Sequence, residues 1–133
     1  MDNDALIDAC FAASEQVRYV AVYRAGVLHS RERTGLEHAT AAESDRYEEL
    51  LVNPTALTLL RQRGDIDCGG LRYILIRYGN FFQFVKQIPN GHISIALEPS
   101  AGIDDLVRTL VDRIEEITWT GQAWTPADTA GES

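Results

Sequence analysis

Between residues 71 and 98 the apolar side chains fall into three short blocks, 71–78, 81–88 and 92–98, separated by Gly79-Asn80 and Pro89-Asn90-Gly91. These separators supply the positive φ a tight hairpin demands, so the blocks predict three consecutive antiparallel strands. Upstream, Leu6, Ile7, Cys10, Phe11 and Ser14 recur at helical spacing, with Asp2, Asp4 and Asp8 near the positive end of the helix dipole, which predicts a first helix over 4–15. Residues 18–24 contain Tyr19-Val20-Ala21-Val22-Tyr23, apolar at every position, as in a strand covered on both faces and placed centrally in its sheet. The Ala25-Gly26 turn returns the chain through 27–33, where His29, Arg31 and Arg33 share one side, as on an exposed edge.

The second helical stretch starts at Thr40-Ala-Ala-Glu43, which fits a capping box. Its apolar stripe, Tyr47, Leu50, Leu51, Leu57 and Leu60, keeps one phase across Pro54. Proline removes a helical hydrogen bond and clashes with the preceding turn, so a kink is expected, or two abutting helices with Asn53 as the second cap. Gly64 is expected to end it. Residues 103–117 predict a closing helix with Ile103, Leu106, Val107, Leu110, Val111, Ile114 and Ile117 on one stripe. Each fully buried side chain of that kind contributes about 1.5–3 kcal/mol, which assigns this face to the core.

The chain of 133 residues suffices for one domain, expected over 1–117, with a partly disordered tail at 118–133. Apolar residues make up 45% and charged residues 24%, an ordinary soluble composition without a candidate membrane span. Met1-Asp2-Asn3-Asp4 lacks the basic, then apolar, run of a signal peptide, so a cytoplasmic location is expected. Cys10 and Cys68 have no CxxC or zinc spacing and read as free thiols, one packed and one in a loop. A net charge of -8 argues against nucleic acid, whose binding rests on clustered Lys and Arg, and against insertion into anionic membranes.

Candidate chemistry is sparse. Asp65-Ile-Asp67-Cys-Gly69 superficially matches the start of a calcium loop, but its glycine comes one place early and the twelfth position is Ile76, not a bidentate Glu. His29, His38 and His92 share no metal-ligand spacing. There is no GxSxG, HExxH, GxGxxG or GxxxxGK, so neither an enzyme nor a bound cofactor or metal is expected. Phe81, Phe82 and Phe84 with Tyr73 and Tyr78 could form a base-stacking platform, yet such platforms line positive grooves, and core packing explains them better. Residues 71–78 carry Ile74-Leu75-Ile76 with no proline or lysine to blunt an edge, which invites pairing with another chain if that strand is peripheral. Trp119 is expected to end the last helix against the core. Trp124 could anchor a dimer or partner contact, with intramolecular packing as the plainer alternative.

The order helix, two strands, helix, three strands, helix resembles the roadblock/LC7 family, related to longin and profilin-like folds. The resemblance spans about residues 6–117 and is strongest over 71–98. It implies an α+β domain, α-β-β-α-β-β-β-α, with a five-stranded antiparallel sheet and helices on both faces. It also implies a non-catalytic homodimer that serves as scaffold or regulator. Bacterial members act on Ras-like small GTPases, and eukaryotic ones work in dynein and lysosomal complexes. Carried onto this chain, the dimer strand would present Arg72, Ile74 and Ile76 with Tyr73 and Leu75 on the opposite face. The second helix would contribute Arg46, Tyr47, Glu49 and Leu50 to pairing or partner docking. Pro54 departs from the usual continuous second helix, and the segment after Ile117 has no counterpart. Two other readings stay open. A type III secretion chaperone, binding an extended client segment, would need a further strand hidden in 36–39, and a small-molecule sensor would need a cavity between sheet and helix.

Overall fold

The computed structural model describes residues 2–120, with side chains as far as Thr118. Helix α1 is Asn3–Ala13, capped by Asp2, whose Oδ1 accepts the Asp4 N–H at 3.0 Å. Strands β1, Val17–Arg24, and β2, Val27–Glu32, form a hairpin. A continuous helical run follows as α2, Ala42–Tyr47, a π-helical turn, Glu48–Val52, and α3, Asn53–Asp67. Strands β3, Ile74–Arg77, β4, Phe82–Ile88, and β5, Gly91–Leu97, form a meander, and α4, Ile103–Thr120, closes the described chain. The sheet is antiparallel throughout, in the order β2-β1-β5-β4-β3, so β1 is internal and both β2 and β3 are edges.

Strand alternation divides the side chains between two layers. Val17, Val20, Val22, Phe84, Ile93, Ile95 and Leu97 pack against Leu6, Ile7 and Cys10 of α1 and against Leu106, Leu110 and Ile114 of α4, forming the main hydrophobic core. A register shift between Val17 and Tyr19 explains why the inward residues of β1 are 17, 20 and 22 rather than a strict alternation. The opposite face carries Tyr19, Ala21 and Ala96 with the buried polar groups Gln83, His92 and Ser94, and lies under the π turn and α3. Gly91 permits the β5–β1 approach at the hairpin end, since a Cβ there would sit 1.8 Å from the Tyr23 carbonyl oxygen.

The second helical region differs from its sequence reading in several ways. The Thr40–Glu43 capping box does not form: Ala41 is the N-cap, and the Thr40 hydroxyl donates instead to Asp45. Asn53 is not a cap either, because its φ of -64° and ψ of -45° are helical. Its N–H reaches back five residues to the Glu48 carbonyl, and this wider turn carries the helix past Pro54 without a break. Gly64 lies inside α3 and allows the returning chain to press close: a Cβ would lie 3.1 Å from Gly70 C and 3.2 Å from Leu71 N. The Gly70 N–H donates to the Gly64 carbonyl at 3.1 Å, tying the returning chain to the end of α3. Pairing with β4 therefore begins only at Ile74 opposite Val85, and the 71–78 strand shortens to Ile74–Arg77. Residues 36–39 contain no strand, so the extra strand required by the chaperone reading is absent. The closing helix extends to Thr120 rather than ending at 117. The Trp119 side chain, Trp124 and the expected tail beyond Thr120 lie outside what is described.

Candidate functional site

The largest disagreement between hydrophobic pattern and structure lies on the second helical region. Of the stripe Tyr47, Leu50, Leu51, Leu57 and Leu60, only Leu57 is buried. Tyr47 and Leu59 are both 61% exposed, Leu51 is 52% exposed, and Leu50 and Leu60 are also open. The side that meets the sheet carries Glu49, Asn53, Leu57 and Gly64. Glu49, assigned above to a partner-facing surface, is instead fully buried. Its Oε1 accepts from Asn53 Nδ2 at 3.0 Å and lies 2.8 Å from His92 Nε2, while its Oε2 has no hydrogen-bond partner. His92 is held in turn by β5 and by the Tyr23 ring, 5.7 Å away between centroids. A buried carboxylate is stable only with such partners.

The remaining sequence candidates lie on or beside β3. Cross-strand pairing puts Ile74 and Ile76 on the face shared with Val85 and Gln83, toward the second helical region, and Leu75 on the face shared with Phe84. The Tyr73 ring also packs on Phe84, at 5.5 Å, and Tyr73 and Leu75 border an open groove of about 380 Å³ against Val107, Arg108 and Val111 of α4. Arg72 precedes the strand and is anchored at its base. Its Nη2 donates to Glu115 Oε2 at 3.2 Å, and its carbonyl accepts from Lys86 Nζ at 3.1 Å. Burial would raise the Glu115 pKa, but hydrogen bonds and charge from Lys86 and Arg72 hold it below the usual value.

The strand backbone is open. The Tyr78 N–H donates to the Phe81 carbonyl at 2.9 Å, so residue 78 faces β4, and alternation turns the N–H and C=O of Leu75 and Arg77 toward the free edge. The two sheet edges differ chemically. On the β2 side, Arg31 and Arg33 stack on Phe11 at 5.6 and 5.2 Å, and Arg31 pairs with Asp8 at 2.6 Å, giving a charged border. The β3 edge presents Ile-Leu-Ile, with a charge only at its end, where Arg77 lies over the Phe82 ring at 4.9 Å. At its end the Tyr78 hydroxyl donates to Glu48 Oε2 at 3.1 Å, so the edge strand joins the outward helix face in one surface. Arg46, Tyr47 and Leu50 belong to that exposed surface, whereas Glu49 lies beneath it.

The space between α2 and the sheet, bordered by Tyr19, Glu49 and Gln83, measures about 70 Å³. Ligand pockets occupy roughly 300–1,000 Å³, so this space is too small for the sensor reading, and spaces of that size beside the sheet, about 380 Å³ against α4 and about 330 Å³ between Leu57 of α3 and His92, are open grooves. Among the described residues no group of His, Cys, Asp and Glu could hold a metal ion, and no helix is long and apolar enough to cross a membrane. Cys10 is buried, which pushes its thiol up to about 12 against the opposing charge of Arg113, while Cys68 is exposed at the end of α3. The Glu49–Asn53–His92 cluster had no sequence signal: the pattern offers Asn53 as a helix cap and the family resemblance offers Glu49 for pairing or docking, and nothing in the string ties either to His92.

No family model matches the sequence, and no curated protein matches it. Solved structures do. A roadblock/LC7 domain from Streptomyces avermitilis superposes with a TM-score of 0.64 at 14% identity, covering 88% of this chain and 95% of that one. MglB in a tetrameric arrangement gives 0.59 at 10% identity over 85% and 88%, and the gliding protein MglB from Thermus thermophilus gives 0.59 at 9% over 89% of each. The chain has the roadblock/LC7 fold.

Proposed function

We propose that this chain is a non-catalytic regulatory or scaffold protein that pairs with a second copy through β3 and the outward face of its second helical region. The carrying observation is the apolar Ile74-Leu75-Ile76 run of the β3 edge, continuous with exposed Tyr47, Leu50 and Leu51. Antiparallel pairing of two such edges satisfies the backbone groups of Leu75 and Arg77 and joins two five-stranded sheets into one. The helix faces then meet across that seam and remove leucine surface from water. The fold shared with roadblock/LC7 domains and MglB supports this reading, as does the tetrameric arrangement reported for one MglB structure. A Ras-like small GTPase is the partner class that the family resemblance suggests for the assembled pair.

Sedimentation equilibrium of the chain and its Ile74→Lys variant tests the pairing. The parent is expected as a dimer and the variant, with a charge beside the seam, as a monomer of unchanged secondary structure. A monomeric parent, or a variant dimer of undiminished stability, would refute it. Binding to a Ras-like GTPase loaded with GTP analogue or GDP, measured on the same two samples, then separates dimer-dependent recognition from none.

A further inference from the structure

The exposed leucines of the second helical region raise a question of orientation. Burying Tyr47, Leu50, Leu51 and Leu60 against the sheet would remove more apolar surface from water than burying Glu49 and Asn53 does. Hydrophobicity alone therefore favours the opposite roll of this helix. Buried Leu57 and the close approach at Gly64 resist that roll farther along α3, and around the π turn the opposing force is one cluster. Glu49 Oε1 is shared by Asn53 Nδ2 at 3.0 Å and His92 Nε2 at 2.8 Å, and neither Glu49 nor His92 has appreciable contact with solvent. A roll that carried Glu49 away would strand the His92 imidazole in the sheet face without its carboxylate partner. The cluster also sits where the helix widens into its π turn, at the Asn53 N–H to Glu48 carbonyl bond.

We infer that Glu49, Asn53 and His92 form a roll lock that keeps Tyr47, Leu50 and Leu51 outward and so determines which helix face is offered for pairing. The lock stands on the buried geometry; its effect on assembly rests on the pairing reading above. Orphaned Glu49 Oε2 fits this role, since a cluster that leaves an acceptor unpaired contributes more to a single orientation than to stability. Replacing such a cluster by apolar residues commonly preserves or raises stability. It would also let two helix rolls compete.

The experiment uses Cys68→Ser and Leu51→Cys, making residue 51 the accessible thiol, with Ile74→Lys to keep the chain monomeric. Maleimide labelling is compared with and without the pair Glu49→Leu and His92→Leu. With the cluster intact, labelling runs at the rate of an exposed thiol. In the double-leucine variant it slows several-fold while the thermal midpoint holds or rises. With Ile74 and Leu51 restored, self-association of the double-leucine variant weakens by roughly a hundredfold when the outward roll falls to about a tenth of the population, because both copies must be outward to pair. Unchanged labelling with retained stability overturns the lock. If the double-leucine variant does not fold, Glu49→Gln, which keeps an acceptor for Asn53 but no charge for His92, is expected to slow labelling to a smaller degree, and no change there overturns it. Should the parent prove monomeric, the labelling arm still reads the lock, so failure of the pairing reading and failure of the lock remain distinguishable.

Discussion

Glu48 and Glu49 are sequence neighbours with opposite surroundings, and their contrast shows how far single residues can be read from sequence. Glu49 points into the sheet face, whereas Glu48 is partly buried at the rim and accepts the Tyr78 hydroxyl at 3.1 Å. Burial raises the Glu48 pKa; the Tyr78 hydrogen bond opposes that shift, and the charges of Glu49 and Asp45 add to it. A raised carboxyl pKa means that the folded state holds the proton more tightly than the unfolded chain. Ionised Glu48 therefore costs stability near neutral pH, and the cost disappears as pH falls through its folded pKa. Glu48→Gln keeps an acceptor for Tyr78 and removes the charge, so its thermal midpoint should exceed that of the parent near pH 7, with the gap closing toward about pH 4. Calorimetry at the two pH values checks this, and a lower midpoint at neutral pH would contradict it. None of this was legible in the string Tyr47-Glu48-Glu49-Leu50, because the identity of the inward residue depends on His92, 43 positions away.

At the level of elements, the sequence was informative wherever apolar periodicity and burial coincide. In α4 the stripe Leu106, Val107, Leu110, Val111 and Ile114 is buried as its spacing indicates, and β1 is buried along most of its length because β2 and β5 flank it and helices cover both faces. The second helical region failed the same test because polar partners outcompete its leucines. The strand over 71–78 was overestimated because β-propensity does not register the tether of Gly70 to Gly64. Leu110 is fully buried at the centre of the α4 interface with α1 and the sheet. Leu110→Asp would place an unpaired carboxylate there and lose the side-chain burial, a combined loss of at least about 3 kcal/mol, comparable with much of a small domain's stability. The variant is expected to lose soluble expression, and normal yield with an unchanged midpoint would remove α4 from the core.

For the molecule as a whole, the pairing surface and the net charge act in opposite directions. Each copy carries a formal charge of -8, so two copies repel as they approach, while the surface that would join them is apolar along Ile74-Leu75-Ile76 and across Tyr47, Leu50 and Leu51. Salt screens the repulsion over a Debye length of about 10 Å at 0.1 M and leaves apolar contact and strand hydrogen bonds nearly intact. Self-association is therefore expected to tighten as sodium chloride rises from about 0.02 to 0.3 M, by a few-fold in the dissociation constant. Sedimentation velocity across that range reads the effect directly. The opposite trend, weakening with salt, would mean that contacts such as those available to Arg46, Arg72 and Arg77 govern the interface. The apolar edge and helix face would then not be its principal source of affinity.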